Sequence, residues 1–184
     1  ECIGEAIQFR CNVENRTGHR LAEVWYPVIG GMTGIGPAKD RQHTGVLVPY
    51  KDNQWTRELF SNFGAGECLG VFGAAYAFNY PDHMSMPWTS LYHPDLRRGV
   101  YFAVHDPIPR CKSLSFGMVP GNATERVGND WPTRAEAKAL PVGVTMSWTF
   151  LPYTKPHETF EGPPVVLQCH EGGWKQSAEL YRTW

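Results

Sequence analysis

Two short stretches hold the residue types that could do chemistry. His105-Asp106-Pro107 sets an imidazole beside a carboxylate at the end of a strand-like run, the two halves of an acid–base pair. Neighbours in a strand point to opposite faces. The stronger reading therefore has Asp106 capping the turn with its own side chain while His105 faces elsewhere. Tyr80-Pro81-Asp82-His83-Met84-Ser85-Met86-Pro87-Trp88 gathers aromatic rings, a carboxylate and an imidazole in one loop. Sugar rings stack their C–H faces on aromatic planes and hydrogen-bond such polar groups. Tyr80, Asp82, His83, Trp88, His105 and Asp106 are accordingly the candidate carbohydrate-binding residues. Large aromatics are usually mostly buried, so a loop with Trp88 and Met84 folded under onto a sheet is the favoured competitor.

Other signatures are missing from the chain. The histidines at 19, 43, 83, 93, 105, 157 and 170 show no H-x-H or HExxH spacing, which leaves a metal site without support. There is no G-x-S-x-G nucleophile turn, and the glycines of 30–37 lack phosphate-loop spacing. No catalytic residue is assigned and no cofactor is expected. Five cysteines stand singly, with no C-x-x-C pair. Cys11 and Cys169 sit in strand-like runs where a small buried hydrophobe fits. Buried free thiols in a reducing compartment are the expectation, ahead of a disulfide framework. Asn15-Arg16-Thr17 and Asn122-Ala123-Thr124 are N-x-T sequons in turn-like stretches.

The elements that must position these residues are mostly strands. Residues 5–14 alternate, with Ile7, Phe9, Cys11 and Val13 on one side. A turn at 15–19 and a second strand at 20–26, ended by Pro27, predict a hairpin. Residues 30–37 read as a flexible loop and 45–49 as a short buried strand. The stretch 51–66 reads as irregular, 69–78 as apolar and closely packed, and 80–94 as a second long loop. Further strands are expected at 98–105, 112–119, 142–151 and 165–169. Val144, Met146, Trp148 and Phe150 share one face of the third of these. Residues 131–140 could be helical turns or a loop. From Gly172 the period changes to that of a helix, with Trp174, Ala178, Tyr181 and Trp184 on one stripe.

Composition agrees with a β-rich domain. The 184 residues are 42% hydrophobic and 19% charged, which is globular rather than disordered. Seven Trp, eight Tyr and nine Phe with 19 Gly and 15 Pro suit many strands joined by turns. A net charge of -1 supplies no field for gathering phosphates, so no nucleic-acid partner is expected. No apolar run approaches the ~20 residues of a membrane span. The predicted fold is all-β: a two-layer antiparallel β-sandwich over 1–171, then a linker helix at 172–184 leading into a further domain.

Several of these stretches together resemble a known family. Val13-Glu14-Asn15-Arg16-Thr17-Gly18 through Glu23-Val24-Trp25-Tyr26-Pro27, and Gly99-Val100-Tyr101-Phe102-Ala103-Val104-His105-Asp106-Pro107, are similar to the opening domain of an uncharacterised group of TIM-barrel glycoside hydrolases. Tyr80-Pro81 with the Met-rich stretch behind it fits too. Gly172-Gly173-Trp174 through Ala178, Tyr181, Arg182 and Trp184 resembles that group's G-x-W-x-x-A-x-x-Y-R-x-W linker helix. The resemblance implies a galactose-mutarotase-like supersandwich that supports a catalytic barrel and lends it a loop. It also implies carbohydrate as the ligand. The stripe of Trp174, Ala178, Tyr181 and Trp184 reads as interdomain packing, buried against either this sandwich or the domain that follows. The alternatives are a free-standing sugar epimerase or lyase with His105 or His83 at its site, and a carbohydrate-binding module.

Overall fold

A computed structural model describes residues 1–37, 43–51, 53–58, 75–119 and 143–184. With strands numbered in chain order, one sheet contains β1 (Cys2–Ile3), β2 (Ala6–Phe9), β5 (Gly45–Tyr50), β6 (Asn53–Glu58), β8 (Trp88–His93), β9 (Arg98–Val104) and β13 (Val165–Glu171). Its order is β1-β2-β13-β9-β8-β5-β6. The second sheet is built from β4 (Val24–Met32), β7 (Ala75–Tyr80), β10 (Lys112–Val119) and β11 (Gly143–Phe150), in the order β4-β11-β10-β7. β3 (Asn12–Glu14) and β12 (Thr159–Glu161) form a small ribbon. Every pairing is antiparallel. One helix, α1 (Trp174–Thr183), follows β13. The all-β sandwich with a C-terminal helix is the fold the sequence predicts.

Alternation explains the core. Val144, Met146, Trp148 and Phe150 of β11 and Leu114 and Phe116 of β10 face Val46, Val48, Leu91, Phe102, Val104 and Val165 of the larger sheet. The other face of that sheet carries Leu47, Trp88, Tyr101, Ala103 and Val166, which α1 covers with Trp174, Ala178, Leu180 and Tyr181. β9 is thus buried on both faces, which is why 100–104 is apolar without a break.

The predicted hairpin does not form. β2 pairs with β1 and β13, β3 with β12, and β4 with β11. Residues 15–21 carry the chain from one sheet to the other, pinned to the segment before β12. The Asn15 amide donates to the Thr154 carbonyl (3.1 Å) and the His19 carbonyl (2.8 Å), and the Leu21 N–H donates to Thr154 O (2.9 Å). Because that amide is buried and engaged, Asn15 is a structural asparagine and its sequon is closed by the fold.

Pro27 does not end its strand either. β4 lies at an edge of its sheet, where a residue without an N–H is tolerated, and it continues through Gly30 and Gly31. The polar stretch 53–58 is the edge strand β6, and 88–93 is β8 rather than loop. Cys169 is exposed, as are Cys2 and Cys111, while Cys11 is half-buried; all four are free thiols. Cys68, the second sequon and residues 131–140 lie outside the described residues.

Candidate functional site

The turn between β7 and β8 sits at one end of the sandwich. It starts with a cis Tyr80–Pro81 bond and is tied by backbone bonds from Lys51 N to His83 O (2.8 Å), Met84 N to Asn79 O (2.9 Å) and Ser85 N to Pro49 O (3.0 Å). Met84 and Trp88 fold under into the two apolar clusters, as the packing reading expects. His83 stays half-exposed. Its ring stacks on Tyr50 with centroids 5.8 Å apart and planes 8° from parallel, and its Nε2 lies 3.6 Å from the Asp82 carboxylate. The Lys51 ammonium sits 5.8 Å from the Tyr50 ring centroid. This small set offers an aromatic plane, an acceptor and a donor at the surface.

Asp106 turns inward. Its buried carboxylate accepts from Lys112 Nζ (3.1 Å), Arg110 Nη2 (3.2 Å) and the Ile108 N–H (3.0 Å). The last bond is the turn cap the sequence predicts. Lys112 shares the core-facing side of β10 with Leu114 and Phe116 and is itself fully buried. Burial pushes its pKa down, against the opposing pull of Asp106. Its ammonium also lies 4.9 Å from the Tyr80 ring centroid.

His105 turns the other way, so it makes no pair with Asp106. Its Nε2 meets the Tyr101 hydroxyl at 3.0 Å, and its ring stacks on Trp184 at 4.5 Å. Burial lowers its pKa to about 4, so near neutral pH it is an uncharged hydrogen-bonding partner for the Tyr101 hydroxyl. Tyr181 bridges this stack to the core: its ring lies 5.6 Å from Trp184 and 6.3 Å from Trp88.

The six predicted residues therefore occupy three places rather than one cleft. Tyr80 and Asp106 meet through Lys112, Trp88 and His105 meet through the last turns of α1, and Asp82 and His83 face solvent beside Tyr50. Lys112 and Arg110 were not among the predicted residues. The legible signal is a lysine alternating with Leu114 and Phe116, since a buried ammonium calls for a carboxylate. Ser177 was missed as well, although it lies on the predicted stripe three residues after Trp174. It is the fully buried residue of α1, with its Oγ 2.7 Å from His170 Nε2 and donating to Ser90 Oγ at 2.8 Å.

Hollows also lie elsewhere among the described residues. A cleft of about 630 Å³ is lined by Glu5, Ile35, Arg98, Gly99, Val100, Cys169, His170 and Glu171. A second hollow, of about 310 Å³, is bounded by Arg110, Cys111, Phe150, Leu151, Pro152, Phe160 and Pro163. Among the described residues no three His, Cys, Asp or Glu side chains are grouped to hold a metal ion. No helix among them is long and apolar enough to cross a membrane.

No family model and no curated protein matches the sequence. The fold does match solved structures. The α-galactosidase AgaB of glycoside hydrolase family 36 from Geobacillus stearothermophilus superposes over 97% of this chain with a TM-score of 0.54 and 15% identity. AgaA from the same organism and family covers 97% with a TM-score of 0.55 and 14% identity. The likeness is one of fold. The chain spans only 22% of the length of each of those enzymes.

Proposed function

We propose that this chain is a non-catalytic β-sandwich domain of a carbohydrate-active enzyme, of the galactose-mutarotase-like type, that supports a catalytic barrel in the same polypeptide. The observation that carries this reading is the superposition of almost the whole chain on about a fifth of two α-galactosidases. The placement of α1 agrees with it. Its inner stripe is docked on the sandwich through Trp174, Ser177, Ala178 and Tyr181, while Trp184 at its end keeps half its surface open beside His105. The turn carrying Asp82 and His83, beside Tyr50 of β5, is the loop this domain would lend to a sugar.

The test is hydrolysis of an aryl α-galactoside by the full-length protein, by the same protein lacking residues 1–184, and by the 184-residue chain alone. Activity only in the full-length protein is the expected result. Turnover of any sugar substrate by the 184-residue chain alone would overturn the non-catalytic assignment.

A further inference from the structure

Arg110 stands at the centre of a groove. It lines the 310 Å³ hollow together with Cys111, Phe150, Leu151, Pro152, Phe160 and Pro163. It also lines a hollow of about 400 Å³ that shares Pro152 and Phe160 and adds Glu158 and Glu161. The two adjoin at these shared side chains. Phe150 and Phe160, with ring centroids 6.0 Å apart, and the two prolines give the groove an apolar floor. Its size falls at the lower end of small-molecule sites, which are mostly apolar with a few fixed polar groups.

The polar groups here are fixed. Arg110 is half-exposed, yet its Nη2 is held at 3.2 Å by a carboxylate that is wholly buried. A guanidinium has five N–H donors, so most of its donors remain for a ligand. Asp106 contributes one negative charge, against one positive charge each from Arg110 and Lys112, and the cluster nets one positive charge. Among the described residues the 310 Å³ limb has no other charged lining residue. Along the other limb, Glu158 is engaged by Lys155, through the ammonium (3.6 Å) and the backbone N–H (3.1 Å). Glu161 has no ion pair among the described residues, and can accept hydroxyl donors.

We infer that this groove binds a carboxylate-bearing sugar unit, a hexuronate, with its carboxylate on Arg110, its ring on the Phe150–Pro152–Phe160 floor and its hydroxyls toward Glu161. A planar guanidinium recognises a carboxylate through paired N–H donors, and a neutral hexose would leave it unmatched. The assignment rests on the carbohydrate reading only for the choice of a sugar ring over another ring.

Cys111, exposed and on the groove wall, supplies a local readout. Alkylation of the full-length protein by iodoacetamide, followed by peptide mass mapping, gives the rate at Cys111 with Cys2 and Cys169 as internal references. Galacturonate is expected to slow alkylation at Cys111 alone, while galactose does not. Arg110→Gln should weaken that protection by about tenfold or more, as loss of a charge-assisted pair implies, while circular dichroism shows the variant still folded at the assay temperature. Equal protection by galactose, equal protection by benzoate, protection that survives Arg110→Gln, or no protection by galacturonate would each overturn the inference. Hydrolytic activity is not read in this experiment, so its failure leaves the domain assignment standing.

Discussion

The indole of Trp184 lies over the imidazole of His105, with ring centroids 4.5 Å apart and planes 19° from parallel. The last residue of the chain thereby closes over the end of β9, and a residue singled out for its chemistry becomes part of a helix seat. At the other end of α1, His170 Nε2 meets Ser177. Each end of the helix rests on a histidine.

Acid should loosen that seat. Burial lowers the pKa of both histidines below the ordinary value of 6.5, His105 to about 4. As pH falls below about 6.5 the unfolded chain takes up protons that the folded chain resists, so stability present above 6.5 is lost toward pH 4. Thermal melts at pH 7 and pH 5 should fall further for the wild-type protein than for His105→Gln, which has no proton to gain. Parallel pH profiles for the two would show that His105 does not titrate in the seat.

Buried charge gives a larger effect. Asp106→Asn strands the Lys112 ammonium in the core and should cost about 3–5 kcal/mol in urea unfolding. The double variant Asp106→Leu with Lys112→Met removes both charges and should recover most of that loss. A double variant no more stable than Asp106→Asn would mean that the core needs the ion pair itself.

The helix seat can be dissected by size and polarity. Trp174 is half-buried, so Trp174→Ala should cost about half of the ~3–5 kcal/mol range for a fully buried site. Ser177→Ala leaves Ser90 Oγ and His170 Nε2 without their shared partner, at about 1–3 kcal/mol. Both variants should speed hydrogen exchange of the α1 amides while leaving those of β11 protected. Equal loss of protection in β11 would show that the helix and sandwich unfold as one unit.

Gly99 tests the same seat from beneath. A Cβ there would lie 2.5 Å from His170 Cε1, so Gly99→Ala must push the imidazole off Ser177, at about 1–3 kcal/mol for an overpacked site. The His170 ring resonances should shift with the loss of stability, and unchanged resonances would contradict the contact.

How much of this was legible depends on what alternation encodes. The faces of β9 and β11 could be read because Val100, Phe102 and Val104, or Val144, Met146 and Trp148, alternate against a buried layer. Partners were not legible, because period two says which way a side chain points and not which strand lies beside it. That is why 5–14 is expected to pair with 20–26, whereas Ile7 pairs with Leu167. The stretch at 88–93 reads as loop because 80–94 is rich in aromatic, His and Pro residues. Thr89 donates to Leu47 O, and Ser90 meets Ser177, satisfactions that only the tertiary structure supplies. His105 and Asp106 were correctly separated by strand geometry alone. Arg110 and its groove depend on β11, β12 and the Asp106 turn converging, which no local pattern records.

The position of β13 has a consequence for how the chain is made. It lies between β2 and β9, with Leu167 beside both Ile7 and Phe102. Within this domain β1 and β2 leave the ribosome well before β13, their neighbour in the sheet. Until residues 165–171 arrive, Ile7 has no strand to join on that side, and the larger sheet stands in two separate pieces. Closing a loop of that length must precede the contacts that reward it, which slows folding and leaves apolar strand edges open to other chains meanwhile. Chaperone demand on this domain should therefore persist until the ribosome has released β13.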